Sequence, residues 1–96
     1  MIVKIRIFRG LLSEIMGQSE DTVKIEHRAK IIEVLKLLAD KYGKPFRDYV
    51  FDPKTNEVTP GLLFSLNGVN ISSLKGTETE IDDGSELLIM PGAGGG

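Results

Sequence analysis

The chain has no cysteine and a single histidine, and each scarcity excludes chemistry. Without cysteine there is no disulfide frame, no thiolate nucleophile and no zinc-ribbon site. His27 stands without a partner nucleophile or a metal-ligand spacing around it, so it reads as a surface or helix-entry residue rather than a catalytic one. No apolar run approaches the roughly 20 residues of a membrane-spanning helix, and Met1 leads directly into a strand pattern instead of a signal peptide. Net positive charge is missing as well. A formal charge of −2 argues against nucleic acid as the main partner, because phosphate binding needs a basic footprint. The expectations are a cytoplasmic setting and protein partners, with no nucleic acid and no membrane.

What is present fits one compact domain: 96 residues, 41% hydrophobic and 27% charged, close to the average of globular proteins. Met1 to Arg9 alternates, with Val3, Ile5 and Ile7 on one face and Lys4, Arg6 and Phe8 on the other, the pattern of a half-buried strand. Leu11, Leu12, Ile15 and Met16 suit a short helical segment stopped by Gly17, and Thr22 to Glu26 alternates again and returns antiparallel to the first strand. From Ala29 to Tyr42 the period is helical, with Ile31, Val34, Leu35, Leu38 and Tyr42 on one stripe. Gly43 stands where a left-handed cap belongs, and Pro45 is expected to prevent continuation. Phe46, Tyr49 and Val50 suit one more helical turn, but Asp52-Pro53 and Pro60-Gly61 punctuate Pro45 to Gly61 as a surface excursion. Leu62 to Leu66 is a strand, Asn67-Gly68 a type I′ hairpin turn, and Asp83-Gly84 a tight turn before a last strand, Glu86 to Met90. The order is strand, strand, helix, strand, strand, strand, an α+β arrangement in which one main helix covers one face of a small mixed sheet.

The last stretch, Pro91-Gly92-Ala93-Gly94-Gly95-Gly96, carries no side chain larger than a methyl after the proline. Pro91 cannot donate to a sheet ladder and ends the strand. Residues 1–91 are thus the domain and 92–96 a flexible glycine tail. Extended, the tail reaches roughly 17 Å at about 3.3–3.6 Å per residue, far enough to deliver a terminal carboxylate into a partner's narrow slot. Small-residue termini are most often passive. Here the tail follows a hydrophobic strand with no polar linker between, which roots it at a fixed place on the fold.

Three motifs, Leu66-Asn67-Gly68, Asp83-Gly84-Ser85-Glu86-Leu87 and the Pro91-to-Gly96 ending, resemble the sulfur-carrier branch of the ubiquitin-like β-grasp proteins. That branch includes the small subunit of molybdopterin synthase, the thiamine sulfur carrier and the small archaeal modifier proteins. The resemblance implies a β-grasp fold in which Val3 to Ile7 lies parallel beside Leu87 to Met90 at the centre of the sheet. It also implies a carrier that is not itself an enzyme: an E1-like adenylating enzyme uses ATP to activate the C-terminal glycine, and the chain binds no cofactor or metal. The activated end then becomes a thiocarboxylate, as in molybdopterin synthesis with that synthase's large subunit, or is joined to lysines of target proteins. The family ending is close to Pro-Pro-Val-Ala-Gly-Gly, so Met90 and Gly92 replace a proline and a valine. Gly96 is one residue more than that pattern: it is the reactive end, or is trimmed to expose Gly95, or is foreign to the native end. The competing reading is a β-grasp interaction module with a passive tail.

In the carrier reading Gly92, Ala93, Gly94 and Gly95 thread the partner's slot, since side chains there would block it and narrow the backbone's choices. Ordering five such residues costs on the order of 5–10 kcal/mol, so the folded body needs its own docking surface. With Val3, Ile5, Ile7, Leu62, Phe64, Leu66, Leu87 and Ile89 inward, Phe8, Leu63, Leu88 and Met90 point outward, flanked by Lys4 and Arg6, and mark an interaction face. The acids Asp82 and Asp83, with Glu78, Glu80 and Glu86 nearby, read as turn chemistry rather than a paired-carboxylate site.

Overall fold

The computed structural model describes residues 1–8 and 10–90. Its centre is β7 (Glu86–Met90), flanked on one side by β1 (Ile2–Ile7) and on the other by β4 (Leu63–Leu66). The sheet is completed by β2 (Glu20–Lys24) outside β1 and by β5 (Val69–Asn70) outside β4, giving the order β2-β1-β7-β4-β5. β1 and β7 run parallel with Ile5 opposite Leu87 and Ile7 opposite Ile89, while β4 meets β7 antiparallel with Leu66 opposite Leu87. The period-two alternation of β1 is realised in full: Val3 and Ile5 are completely buried and Ile7 nearly so. Their register partners Leu87 and Ile89 are equally enclosed.

Helix α1 (Leu11–Met16) bridges β1 and β2. The Ser13 hydroxyl accepts from the Gly10 N–H at 3.0 Å, and Gly17 ends the helix in the left-handed conformation at φ 76°. Helix α2 (Ile31–Tyr42) buries Ile31, Val34, Leu35 and Leu38, at i, i+3, i+4 and i+7, in one hydrophobic core with the inner sheet face.

Three local expectations change. The return strand lies two residues earlier than Thr22–Glu26, because its pairing with β1 sets Glu20 opposite Arg6 and Lys24 opposite Ile2. Ala29 and Lys30 are not helical: as β3 (Ala29–Lys30) they pair antiparallel with β6 (Glu80–Ile81), and the ladder holds Lys30 extended. Gly43 is not a left-handed cap. Its φ of 83° and ψ of −164° occupy a region essentially reserved for glycine, and its N–H still donates to the Ala39 carbonyl at 2.8 Å. The main helix stops at Tyr42, as expected, and the helical turn expected at Phe46, Tyr49 and Val50 is realised in α3 (Lys44–Val50), whose proline lies in the first turn, where the missing N–H costs nothing.

The first part of the segment expected as a surface excursion therefore belongs to the core, while residues 52–61 keep to the surface as expected. Phe46 and Val50 are fully buried, Phe51 nearly so, and the Phe46 ring lies 5.9 Å from that of Tyr42. Between β5 and β6 the chain makes two 3₁₀ turns, Ile71–Ser73 and Gly76–Glu78, and Ile71 is buried.

Tyr42, the last residue of α2, ties that helix to the β2 edge. Its hydroxyl donates to the Asp21 carboxylate and accepts from Gln18 Nε2 at 2.7 Å, and Lys41 Nζ reaches the same carboxylate at 2.7 Å. Burial alone would raise the Asp21 pKa; the bonds from Lys41, Tyr42 and the Thr22 N–H outweigh it and hold the carboxyl below its usual 3.8.

Two outcomes follow. Phe46→Ala should destabilise the fold by about 3–5 kcal/mol in urea unfolding, whereas a surface residue would move stability by only about 0.5 kcal/mol. Because the folded-state pKa of Asp21 is depressed, its contribution is complete well above pH 3.8 and is lost as the pH falls through the folded-state value. Asp21→Asn should then lower stability at neutral pH and flatten the acid limb of the stability curve. An acid limb as steep as the wild type's would show that Asp21 is not the group responsible.

Candidate functional site

The outer sheet face is built by the residues that alternate with the core set. In register across it lie Arg6, Leu88 and Ser65, then Met90 and Leu63. Phe8 continues β1 past its last paired residue, and its N–H donates to the Ile89 carbonyl at 3.0 Å, which sets it beside Met90. Phe8 is 58% exposed and Leu63 36%, while Leu88 and Met90 are half-buried by their neighbours. Lys4 and Arg6 stand exposed on the same face.

All six residues expected to form a docking face thus share one side of the sheet, with the apolar ones gathered where β7 ends. Glycines 92, 94, 95 and 96 and Ala93, expected to form the threading tail and its reactive end, lie outside the described residues.

Arg6 is less free than its exposure suggests. Its guanidinium sits 3.5 Å from Glu20 on β2 and 3.4 Å from Glu86 on β7, so the cation lies between two carboxylates. All three side chains are open to solvent, and such pairs contribute about 0–1 kcal/mol. Ile2, 53% exposed, belongs to the same face and was not among the expected residues. Its signal was in the sequence, since positions 2, 4, 6 and 8 form the second set of the alternation that buries 3, 5 and 7.

Two motifs singled out in the sequence turn out to be one unit that fixes the start of β7. Asn67 and Gly68 adopt positive φ, 51° and 84°, as a type I′ turn requires. The Asn67 side chain reaches across the sheet: Oδ1 accepts from the Glu86 N–H at 2.9 Å and Nδ2 donates to the Ser85 hydroxyl at 3.3 Å. The Asn67 N–H donates in turn to the Glu86 carbonyl at 2.9 Å. On the other flank, Asp83 Oδ1 accepts from the Ile2 N–H at 2.7 Å and the Gly84 N–H donates to the Ile2 carbonyl at 2.8 Å. The 66–68 and 83–87 motifs therefore hold the last strand at the centre of the sheet.

The acidic residues of this region are paired or structural. Arg28 bridges Glu80 at 3.3 Å and Asp82 at 3.4 Å, and Lys30 meets Glu78 at 3.0 Å, which raises the Lys30 pKa. Among the described residues no group of three or more His, Asp or Glu side chains is arranged to hold a metal ion. His27 is exposed, with Nδ1 2.9 Å from the Arg28 carbonyl oxygen. No described helix is long and apolar enough to cross a membrane.

A central parallel β1–β7 pair, antiparallel flanking strands and a main helix across one face define a β-grasp protein of the ubiquitin-like class. The family model described as "ThiS family" matches residues 7–96, and the chain belongs to that family. ThiS-like proteins are small carriers rather than catalysts. The solution structure of small archaeal modifier protein 1 from Methanosarcina acetivorans is 33% identical, with a TM-score of 0.82 over 99% of this chain and 96% of that one. The Haloferax volcanii HVO 2177 protein is 26% identical, with a TM-score of 0.81 over 100% and 87%. CysO, solved in a complex with BexX from Amycolatopsis orientalis, shares the fold at 19% identity and a TM-score of 0.71 over 98% and 99%. No curated protein matches the chain.

Because Phe8 touches solvent more than core, Phe8→Ser should change the urea-unfolding free energy by no more than about 0.5 kcal/mol. A loss of several kcal/mol would mean that the ring supports the fold and is not free for a partner.

Proposed function

We propose that this chain is a ubiquitin-like carrier that works through its C-terminal carboxylate, at Gly96 or at Gly95 after trimming. An E1-like enzyme adenylates that end: a carboxylate oxygen attacks the α-phosphorus of ATP, pyrophosphate leaves, and the poor acyl electrophile becomes a mixed anhydride. A sulfur nucleophile then adds at the carbonyl and AMP departs. With hydrosulfide as the nucleophile, the product is a thiocarboxylate able to donate sulfur onward, for example within a molybdopterin synthase. A lysine ε-amine of a target protein gives an amide instead, losing a proton as AMP leaves. ATP is the partner's substrate, and the carrier is proposed to hold no cofactor of its own.

The observation that carries this reading is the placement of β7. The strand that leads into Pro91-Gly92-Ala93-Gly94-Gly95-Gly96 is paired on both sides, and it ends beside Phe8 and Leu63 on an open apolar face. A carrier needs both features: a fixed root for the tail and a docking surface that offsets the cost of ordering it. The glycines add a third support, since they present no side chain to a narrow slot. The 33% identity to a small archaeal modifier protein favours the same class of chemistry, and the CysO–BexX complex shows one protein of this fold solved with a partner.

Incubation with ATP, sulfide and an extract of its own cells should produce a fraction whose intact mass differs by one oxygen-for-sulfur exchange, or a fraction joined to lysines of other proteins. Deleting Gly95 and Gly96 should abolish both products while the domain stays folded. Recovery of the free acid alone from the full-length chain would reject the carrier reading.

A further inference from the structure

The carrier reading accounts for the outer sheet face but not for a cleft that adjoins it at the same end of the molecule and shares Phe8 and Met90 with it. There β1 and β7 finish against α1 and α3. Ile7, Leu12 and Ile89, each 6% exposed or less, form its floor, the half-buried Tyr49 and Leu62 line it, and Leu11, 57% exposed, stands at its mouth. Its volume is about 130 Å³, and none of the nine described residues that line it carries a charge. Small-molecule sites usually run to ~300–1,000 Å³ and hold a few polar groups that orient the ligand; this cleft is smaller and almost wholly apolar. Its size and chemistry suit a single apolar side chain, the kind of anchor that dominates interface energetics when it fills a dry pocket.

The position of the cleft says whose side chain that is. Met90 lines it and is the last residue of β7, and six residues follow in sequence. Fully extended, six residues span roughly 20 Å at about 3.3–3.6 Å each, so an enzyme acting on the terminal carboxylate stands within that distance of the cleft. We propose that the tail-receiving enzyme inserts one large apolar side chain, of the leucine, methionine or phenylalanine type, into this cleft. This contact would be made on the α1–α3 side of the sheet's end, in addition to any made on the outer face. It rests on the carrier reading, and it makes Leu11, at the cleft mouth, a determinant of enzyme recognition.

The test is ATP–pyrophosphate exchange catalysed by the adenylating enzyme purified from the protein's own cells, with the carrier concentration varied. Leu11→Glu and Leu11→Lys should both raise KM for the carrier by about tenfold and leave kcat unchanged, because an apolar occupant is repelled by desolvation of either charge. Leu37→Glu replaces an exposed leucine on α2, away from the cleft, and should leave both parameters unchanged. A KM within about twofold of wild type in both Leu11 variants would overturn the proposal, as would an effect from only one sign of charge. A wild-type dimer that Leu11→Glu dissociates would also overturn it, by assigning the cleft to a second copy of the chain. If wild type supports no exchange, the carrier reading fails and takes the cleft with it. If wild type is activated while the Leu11 variants match it, only the cleft assignment fails.

Discussion

The structure depends on the double pairing of β7. A strand in the middle of a sheet has its backbone donors and acceptors satisfied on both edges, and its inner side chains are enclosed from both sides. Leu87 and Ile89 meet Ile5 and Ile7 from one neighbour and Leu66 and Phe64 from the other, all within one hydrophobic core. A parallel neighbour cannot be reached by a tight turn. The chain between β1 and β7 therefore carries α1, β2, the helical layer, and the β4–β5 hairpin that closes the far side. The final strand closes the sheet between its two neighbours.

That arrangement separates two requirements that would otherwise conflict. In the proposed function the end enters another protein's catalytic centre, while the body presents a recognisable surface. The rigid part is secured by backbone pairing and by the Asn67 and Asp83 hydrogen bonds at the start of β7, none of which uses the outer sheet face. Phe8 and Leu63 are left with apolar area facing solvent. The ion pairs of Arg6 with Glu20 and Glu86 lie beside this surface, open to solvent and individually weak.

The sheet and its outer face were legible in the sequence because strand alternation has a period of two. Once Val3, Ile5 and Ile7 are inside, Lys4, Arg6 and Phe8 must be outside, and the same rule separates Leu87 and Ile89 from Leu88 and Met90. The hairpin at Asn67-Gly68 was legible because few residues tolerate the positive φ that its turn demands. The helical turn at Phe46, Tyr49 and Val50 was legible but its place in the core was not, because proline is a breaker inside a helix and a starter in its first turn, and only the course of the chain tells what the turn packs against. The β3–β6 pair was missed because two-residue strands have no period to detect, and their partners lie some 50 residues apart in the chain.

By itself, the sequence determined the inward and outward sets of β1, β4 and β7, the buried stripe of α2, the positive-φ turns and the ending of small residues, since all are local consequences of side-chain size, spacing and backbone freedom. Tertiary structure alone decided what those elements meet. It drew Phe46, Val50 and Phe51 from the expected surface excursion into the core, joined the Asn67 and Ser85-Glu86 motifs into one hydrogen-bonded unit, and brought Leu11, Tyr49 and Leu62 around a cleft beside Met90. The physical reason is range. Propensity and periodicity act over a few residues, whereas burial and strand pairing are settled between residues distant in the chain, where the hydrophobic effect rewards contact without regard to sequence order.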